Sequence, residues 1–280
     1  MISFTGPGAV LLLLAANLAA QAPPDVAAER AGYLRWLKTA PNSPLFAVAQ
    51  QPVGTGLRLG PEDSDIPLSG IAEHKVAADG ATVTLEGPSG RQPVGRGRPI
   101  RLGDYTLYTS GSPAGPILTV FGTTSEKEPA GYYPYDGSLV FIGPLLPPDR
   151  PGKARVLGAN GIEIEATEAG TVLVPVGGTT RLRVLRIPVG GEESELEIFF
   201  RDSTNGEGTY PAGRFVSLVP VGPGKVRLDF NRARNPFCAY SPVYPCPAPW
   251  RGNELNAAVR AGERYERKDP AAEPVKPEGT

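Results

Sequence analysis

From about Gly56 onward the apolar residues recur at every second position, in short runs that stop at Gly, Pro, Asp or Ser. Leu57-Arg58-Leu59, Thr82-Val83-Thr84-Leu85-Glu86, Ile100-Arg101-Leu102 and Tyr105-Thr106-Leu107-Tyr108 alternate apolar with polar, and Ile117 to Phe121 does so less cleanly. A period of two puts neighbouring side chains on opposite faces of a strand, and no run is long enough for an ordinary helix. A second set follows: Ser138 to Ile142, Ala154 to Leu157, Ile162 to Glu165, Val172 to Val174, Leu182 to Ile187 and Leu196 to Phe200. Asp79-Gly80 and Asn160-Gly161 are hairpin turn pairs. With 35 Gly and 32 Pro to make the turns, the pattern predicts a mostly β chain of antiparallel sandwich or barrel blocks. The charged residues of the second set (Glu163, Glu165, Arg181, Arg183, Glu195, Glu197) read as a solvated face.

The period is 3.6 only near the start. Asp25 to Lys38 reads as one amphipathic helix, with Asp25 as its cap, Val26, Tyr33, Leu34 and Leu37 on one stripe, and Glu29, Arg30 and Lys38 off it. Trp36 flanks the stripe, and Pro41 and Pro44 end the helix. Ahead of it, the apolar run Ala9 to Ala16, the small-x-small step Ala20-Gln21-Ala22 and Pro23-Pro24 have the form of an export signal, although residues 1–8 carry no Lys or Arg. The expectation is an exported protein, periplasmic or extracellular, with no transmembrane span after cleavage. The chain then divides into a signal over 1–22, a helix within 23–44, a first β block over 45–122, a second over 132–265 and a disordered tail over 266–280.

The polar residues that look placed rather than scattered lie between Arg201 and Tyr265. They form the words Asp202-x-Thr204, Thr209-Tyr210-x-x-Gly213-Arg214-Phe215, Asp229-Phe230-Asn231-x-Ala233-x-Asn235-Pro236-x-Cys238-Ala239-Tyr240, Cys246-Pro247 and Ala261-Gly262-Glu263. This set resembles the family known as domain of unknown function 1684. That family has no established activity, so the resemblance implies a fold and no mechanism. Two positions depart from it: Trp250 stands where many relatives have Pro, and Arg234 where Tyr is more usual. Residues 56–122 also look like a worn forkhead-associated domain, but Pro61 stands where that fold keeps its phosphate-binding Arg, and Ile71-Ala72-Glu73 replaces the Ser-containing lead to His74.

The candidate site is therefore Asp202, Thr204, Thr209, Tyr210, Arg214, Asp229, Asn231, Asn235, Tyr240 and Glu263. Two roles compete. In one, these groups brace a long irregular coil, because a buried polar group without a partner costs about 1–3 kcal/mol. In the other, two of Asp202, Glu207, Asp229 and Glu263 form an acid–base pair in a cleft, with Arg214 and Tyr210 orienting a substrate. Tyr132, Tyr133 and Tyr135 are able to stack a flat ligand or simply to pack. Cys238 and Cys246, with seven residues between them in a segment with five prolines, are expected to pair in an exported protein; buried thiols and a metal remain the other readings.

What the composition excludes is clearer. With 28 Lys and Arg against 29 Asp and Glu there is no concentrated basic surface for nucleic acid. One histidine, His74, rules out a zinc site with two imidazoles. No cofactor and no metal is expected. The reading is an uncharacterised exported protein that binds a small ligand or an envelope component. The alternatives are a hydrolase on the signature carboxylates and, more distantly, a vestigial phosphopeptide binder.

Overall fold

The computed structural model describes residues 21–80, 82–112, 114–125, 127–190 and 193–266. The segment expected to be an export signal, apart from Gln21 and Ala22, and the tail beyond residue 266 lie outside the described residues. Helix α1 spans Pro24–Thr39 and buries Val26 and Leu37. Asp25 does not cap it. Pro23 takes the cap position, and no side chain bonds to the free amides. Pro24, at the first helical position, has no N–H to satisfy and its φ already suits the helix. Asp25 falls inside the first turn, where the helix dipole still favours a carboxylate. The chain leaves the helix at Ala40, which is extended as expected for a residue before Pro41.

The first block holds nine strands: β1 (Ala47–Pro52), β2 (Leu57–Gly60), β3 (Ile66–Pro67), β4 (His74–Asp79), β5 (Thr82–Gly87), β6 (Gly90–Val94), β7 (Ile100–Leu102), β8 (Tyr105–Ser112) and β9 (Gly115–Phe121). They form two sheets, in the orders β1-β9-β8-β7 and β3-β2-β4-β5-β6. All pairs are antiparallel except β2 with β3. Leu59, Val76, Leu85, Leu107, Leu118 and Val120 from the inner faces fill one core. Strands β1, β4 and β6 escape the sequence pattern. Their polar and Ala-rich runs carry little alternation, and pairing with strong neighbours holds them in place.

The second block is one seven-stranded antiparallel sheet: β10 (Val140–Pro144), β11 (Lys153–Leu157), β12 (Glu163–Val174), β13 (Thr180–Gly190), β14 (Glu193–Phe200), β15 (Arg214–Gly222) and β16 (Lys225–Asp229). Its order is β10-β16-β15-β14-β13-β12-β11. Past β10 the chain returns to β12, where Leu146 and Thr171 exchange two backbone hydrogen bonds of 2.9 Å. The sheet thus curls toward a barrel around Val174, Leu182, Val184, Ile198, Phe200, Val216 and Leu228. The runs Ile162–Glu165 and Val172–Val174 are parts of one strand, β12, which carries an irregularity between Glu168 and Gly170. A 3₁₀ turn over Gly137–Leu139 starts what looked like a strand at Ser138.

The segment from Asn253 to Glu263 forms no strand. It makes only isolated bridges, Arg201 with Glu254 and Tyr132 with Glu263. Leu255, Val259 and Ala261 plug the barrel core, and the Asp202 and Arg214 side chains take up the Val259 N–H and the Val259 and Ala261 carbonyls. The two blocks meet where Tyr244 packs with Ala47 and Phe121, and where Ser241 Oγ donates to the Ala47 carbonyl.

Candidate functional site

The signature residues gather around that plugging segment in three hydrogen-bonded groups. The first is centred on Arg214, at the start of β15. Its Nη2 donates to Asp202 Oδ2 at 2.7 Å and to the Val259 carbonyl at 2.8 Å, while Nη1 donates to the Ala261 carbonyl. Asp202 Oδ1 accepts from the backbone N–H and the hydroxyl of Thr204 and from the Val259 N–H. The hydroxyls of Thr204 and Thr209 meet at 2.8 Å. Burial pulls the Arg214 guanidinium below its usual value, and Asp202 opposes the shift. The Gly of the Gly213-Arg214-Phe215 word has a physical reason. Its φ is +114°, and a Cβ there would stand 2.5 Å from the Phe200 carbonyl oxygen.

The second group holds Glu263, which accepts from the Asn235 N–H at 2.8 Å and from the Tyr240 hydroxyl. Asn235 in turn donates to the Arg264 carbonyl at 3.0 Å. Burial pushes the Glu263 carboxyl up to about 7, held back by its two hydrogen bonds. Tyr240 is raised well above its normal range by burial and by Glu263. Gly262, the glycine of the Ala261-Gly262-Glu263 word, has φ +75°, with the Ala233 and Phe230 carbonyl oxygens each 2.7 Å from where a Cβ would be.

The third group closes β16. Alternation along Val226 to Asn231 would put Asp229 and Asn231 on one strand face, but the strand does not run that far. The strand ends at Asp229, which caps a 3₁₀ turn over Phe230–Arg232 by accepting from the Asn231 N–H at 3.0 Å. The Asn231 side chain pairs with both backbone polar groups of Asp136, at 2.8 Å each. Asp229, Phe230 and Asn231 are all buried. Asp202, Asp229 and Glu263 are therefore bonded to backbone amides and sealed, and Glu207 is exposed away from them. No pair of these carboxylates opens on a cleft. Tyr210 is half-buried, its hydroxyl 3.3 Å from Cys246 Sγ and its ring edge-on to Tyr265. Cys238 and Cys246 meet at bonding distance, with Cα atoms 5.5 Å apart.

Helix α1 docks on this assembly through the face expected to meet water. Glu29 pairs with Arg232 and with Arg234. Arg30 donates to the carbonyls of Asn231 and Tyr133 and lies over the Tyr132 ring. Arg234 lies 4.4 Å over the Tyr33 ring, occupying by cation–π contact the place of the missing tyrosine. The Tyr132 ring is thus taken up by the helix, while the Tyr133 ring lies under Arg264.

Between α1 and the outer face of β13, β14 and β15 there is a groove of about 820 Å³. Tyr33, Trp36, Phe215 and Phe237 line it with Arg234, Asn235 and Glu197. Glu197 is half-buried and has no hydrogen-bond or ion-pair partner among the described residues. Burial pushes its carboxyl up to about 8; Glu195 adds to the rise and Arg234 opposes it. The expectation that Glu195 and Glu197 face water fails at Glu197, because α1 and the coil around Phe237 cover that part of the sheet. One sign was available. Phe199 has the same parity as Glu197, and it stacks on Phe215 with ring centroids 4.2 Å apart. A face with two such rings at one end is covered there.

Among the described residues no group of three His, Cys, Asp or Glu side chains is arranged to hold a metal, and no helix is long and apolar enough to cross a membrane. His74 has Nδ1 2.7 Å from the Ala72 carbonyl, and Pro61 leaves no cation where a phosphate contact was sought.

Comparison with known proteins agrees with the signature. Residues 128–264 match the family model described as "Protein of unknown function (DUF1684)". No curated protein matches the chain. Among solved structures, an uncharacterized protein of Haloarcula marismortui, determined by solution NMR, is 28% identical, with a TM-score of 0.43, over 50% of this chain and 77% of that one.

Proposed function

We propose that this chain, whose residues 128–264 belong to the DUF1684 family, is an exported binding protein that holds a small amphipathic molecule between α1 and the second β block. The observation that carries the reading is the groove itself: four aromatic side chains around one half-buried carboxylate with no partner among the described residues. Its size is that of a small-ligand site, and apolar walls with few polar groups are what such sites have. The buried networks support it from behind. They lock Arg214, Glu263 and Asn231, so that the coil carrying Arg234, Asn235 and Phe237 is held rigidly as one wall. A hydrolase on the signature carboxylates is the weaker reading, since Asp202, Asp229 and Glu263 are already committed to amides and side chains.

Amide-resolved NMR with a set of small aromatic fragments tests the binding reading. Shifts should cluster on Tyr33, Trp36, Phe215, Glu197 and Phe237, and Trp36→Ala should remove them. Shifts spread over the first β block, or left intact by Trp36→Ala, would refute it. Export rests on the sequence of residues 1–22 and has its own test: the intact mass of protein from fractionated cells, expected outside the cytoplasm and starting after Ala22.

A further inference from the structure

The charges lining the groove do not cancel where they stand. Its carboxylates are Glu29, Glu195 and Glu197, and its guanidiniums are Arg186, Arg232 and Arg234. Arg232 and Arg234 are both taken up by Glu29, and Arg232 also by Asp25. Arg186 is exposed and reaches only Ser194, at 3.4 Å. That leaves Glu195, which accepts one hydrogen bond from Ser217 at 3.3 Å, and Glu197, which accepts none. The two are two residues apart on β14 and so share its outer face, opposite Ser217 and beside Phe215. Glu195 and Glu197 on the groove floor have no guanidinium at ion-pair distance among the described residues, nor has Arg186 a carboxylate, and the walls above the floor are aromatic.

Aromatic faces and a desolvated carboxylate attract the same kind of partner. The ring quadrupole is negative on its face, and a carboxylate partly removed from water gains most from a cation that reaches it. Resting on the binding reading above, we infer that the ligand carries an alkylammonium group, seated against Glu197 beneath Trp36 and Phe237, with its apolar body along Phe215 and Val219. A guanidinium from the protein already occupies the neighbouring ring, Tyr33, in the same manner.

The inference has a proton-linked consequence. With its carboxyl raised to about 8, Glu197 is mostly protonated at neutral pH, and a cation binding there must displace that proton. The other charged or titratable groups around it are Glu195 on the same strand, Arg186 on β13, Arg232 and Arg234 beyond β16, and Glu29 and Tyr33 on α1. An alkylammonium keeps its own charge through this range, so its affinity should rise between pH 6 and pH 8.

Calorimetric titration with 2-phenylethylammonium, 2-phenylethanol and 3-phenylpropionate, at pH 6 and pH 8, decides it. At pH 8 the ammonium should bind at least about tenfold more tightly than the alcohol, a free-energy gap ordinary for a hydrogen bond to a charged group. The gap should shrink at pH 6. Glu197→Gln, checked for a single cooperative melting transition, should abolish the preference while the alcohol still binds. The inference is overturned if the alcohol or the carboxylate binds as well as the ammonium, or if Glu197→Gln keeps the preference. Should the alcohol bind with groove shifts but no ammonium preference follow, only the charge inference falls. Should none of the three bind, the binding reading falls with it.

Discussion

Nη2 of Arg214 lies 2.7 Å from Oδ2 of Asp202, and neither side chain is exposed to solvent. The pair joins the loop after β14 to the start of β15. Through the Val259 and Ala261 carbonyls it also ties both to the segment that plugs the barrel. Removing the cation alone strands a buried carboxylate. Arg214→Met should therefore cost about 3–5 kcal/mol in urea denaturation, and a loss below about 1 kcal/mol would contradict the geometry.

Glu263 makes stability depend on pH in an unusual direction for a carboxylate. Its folded value, about 7, lies above the ordinary 4.5, so the folded state binds the proton more tightly than the unfolded chain. The contribution is full below about pH 4.5 and is lost as pH rises through 7. Melting temperature should fall across that window, after allowance for Glu197, which acts in the same sense up to about 8. Glu263→Gln should flatten the part of the curve between pH 5 and 7. Melting curves at half-unit pH steps check both.

Cys238 and Cys246 close a short loop in the coil that bears Phe237 and Tyr240. Linking them restricts the unfolded chain, worth about 2–3 kcal/mol in the chain-entropy model for so short a loop. Reduction with a phosphine should lower stability by that amount and loosen the groove wall at Phe237. Unreduced and reduced protein should differ by two mass units.

Helix α1 is held by charge as much as by its apolar stripe. Glu29→Ala takes the carboxylate from Arg234 and one of several from Arg232, which keeps Asp25 and Asp229, and should cost about 1 kcal/mol, since the side chains are only partly exposed. Hydrogen exchange should then speed up over Pro24–Thr39 and leave the first β block unchanged. Equal exchange in both proteins would show that the ion pairs do not hold the helix.

The strand runs were legible because alternation is local. Leu196 to Phe200 reads as a strand from five residues, whatever it later packs against. The helix was legible for the same reason, but its working face was not. Glu29 and Arg30 look solvent-bound in any single-helix view, and only the arrival of Arg232, Asn231 and Tyr133 from a distant part of the chain makes them an interface. Glu197 is the same case. Its neighbours Leu196 and Ile198 mark it as outward, and outward meant water until α1 and Phe237 roofed it.

The sequence by itself determined the β class, most strand positions, the likeness of residues 128–264 to the DUF1684 family and the residues that brace the irregular coil. Each depends on short-range periodicity, or on polar words whose glycines and amides must satisfy their own backbone. The tertiary structure alone decided that the bracing carboxylates are sealed and that a groove lies beside them. Burial is a property of what comes to cover a side chain, and the covering elements here lie up to some two hundred positions away along the chain.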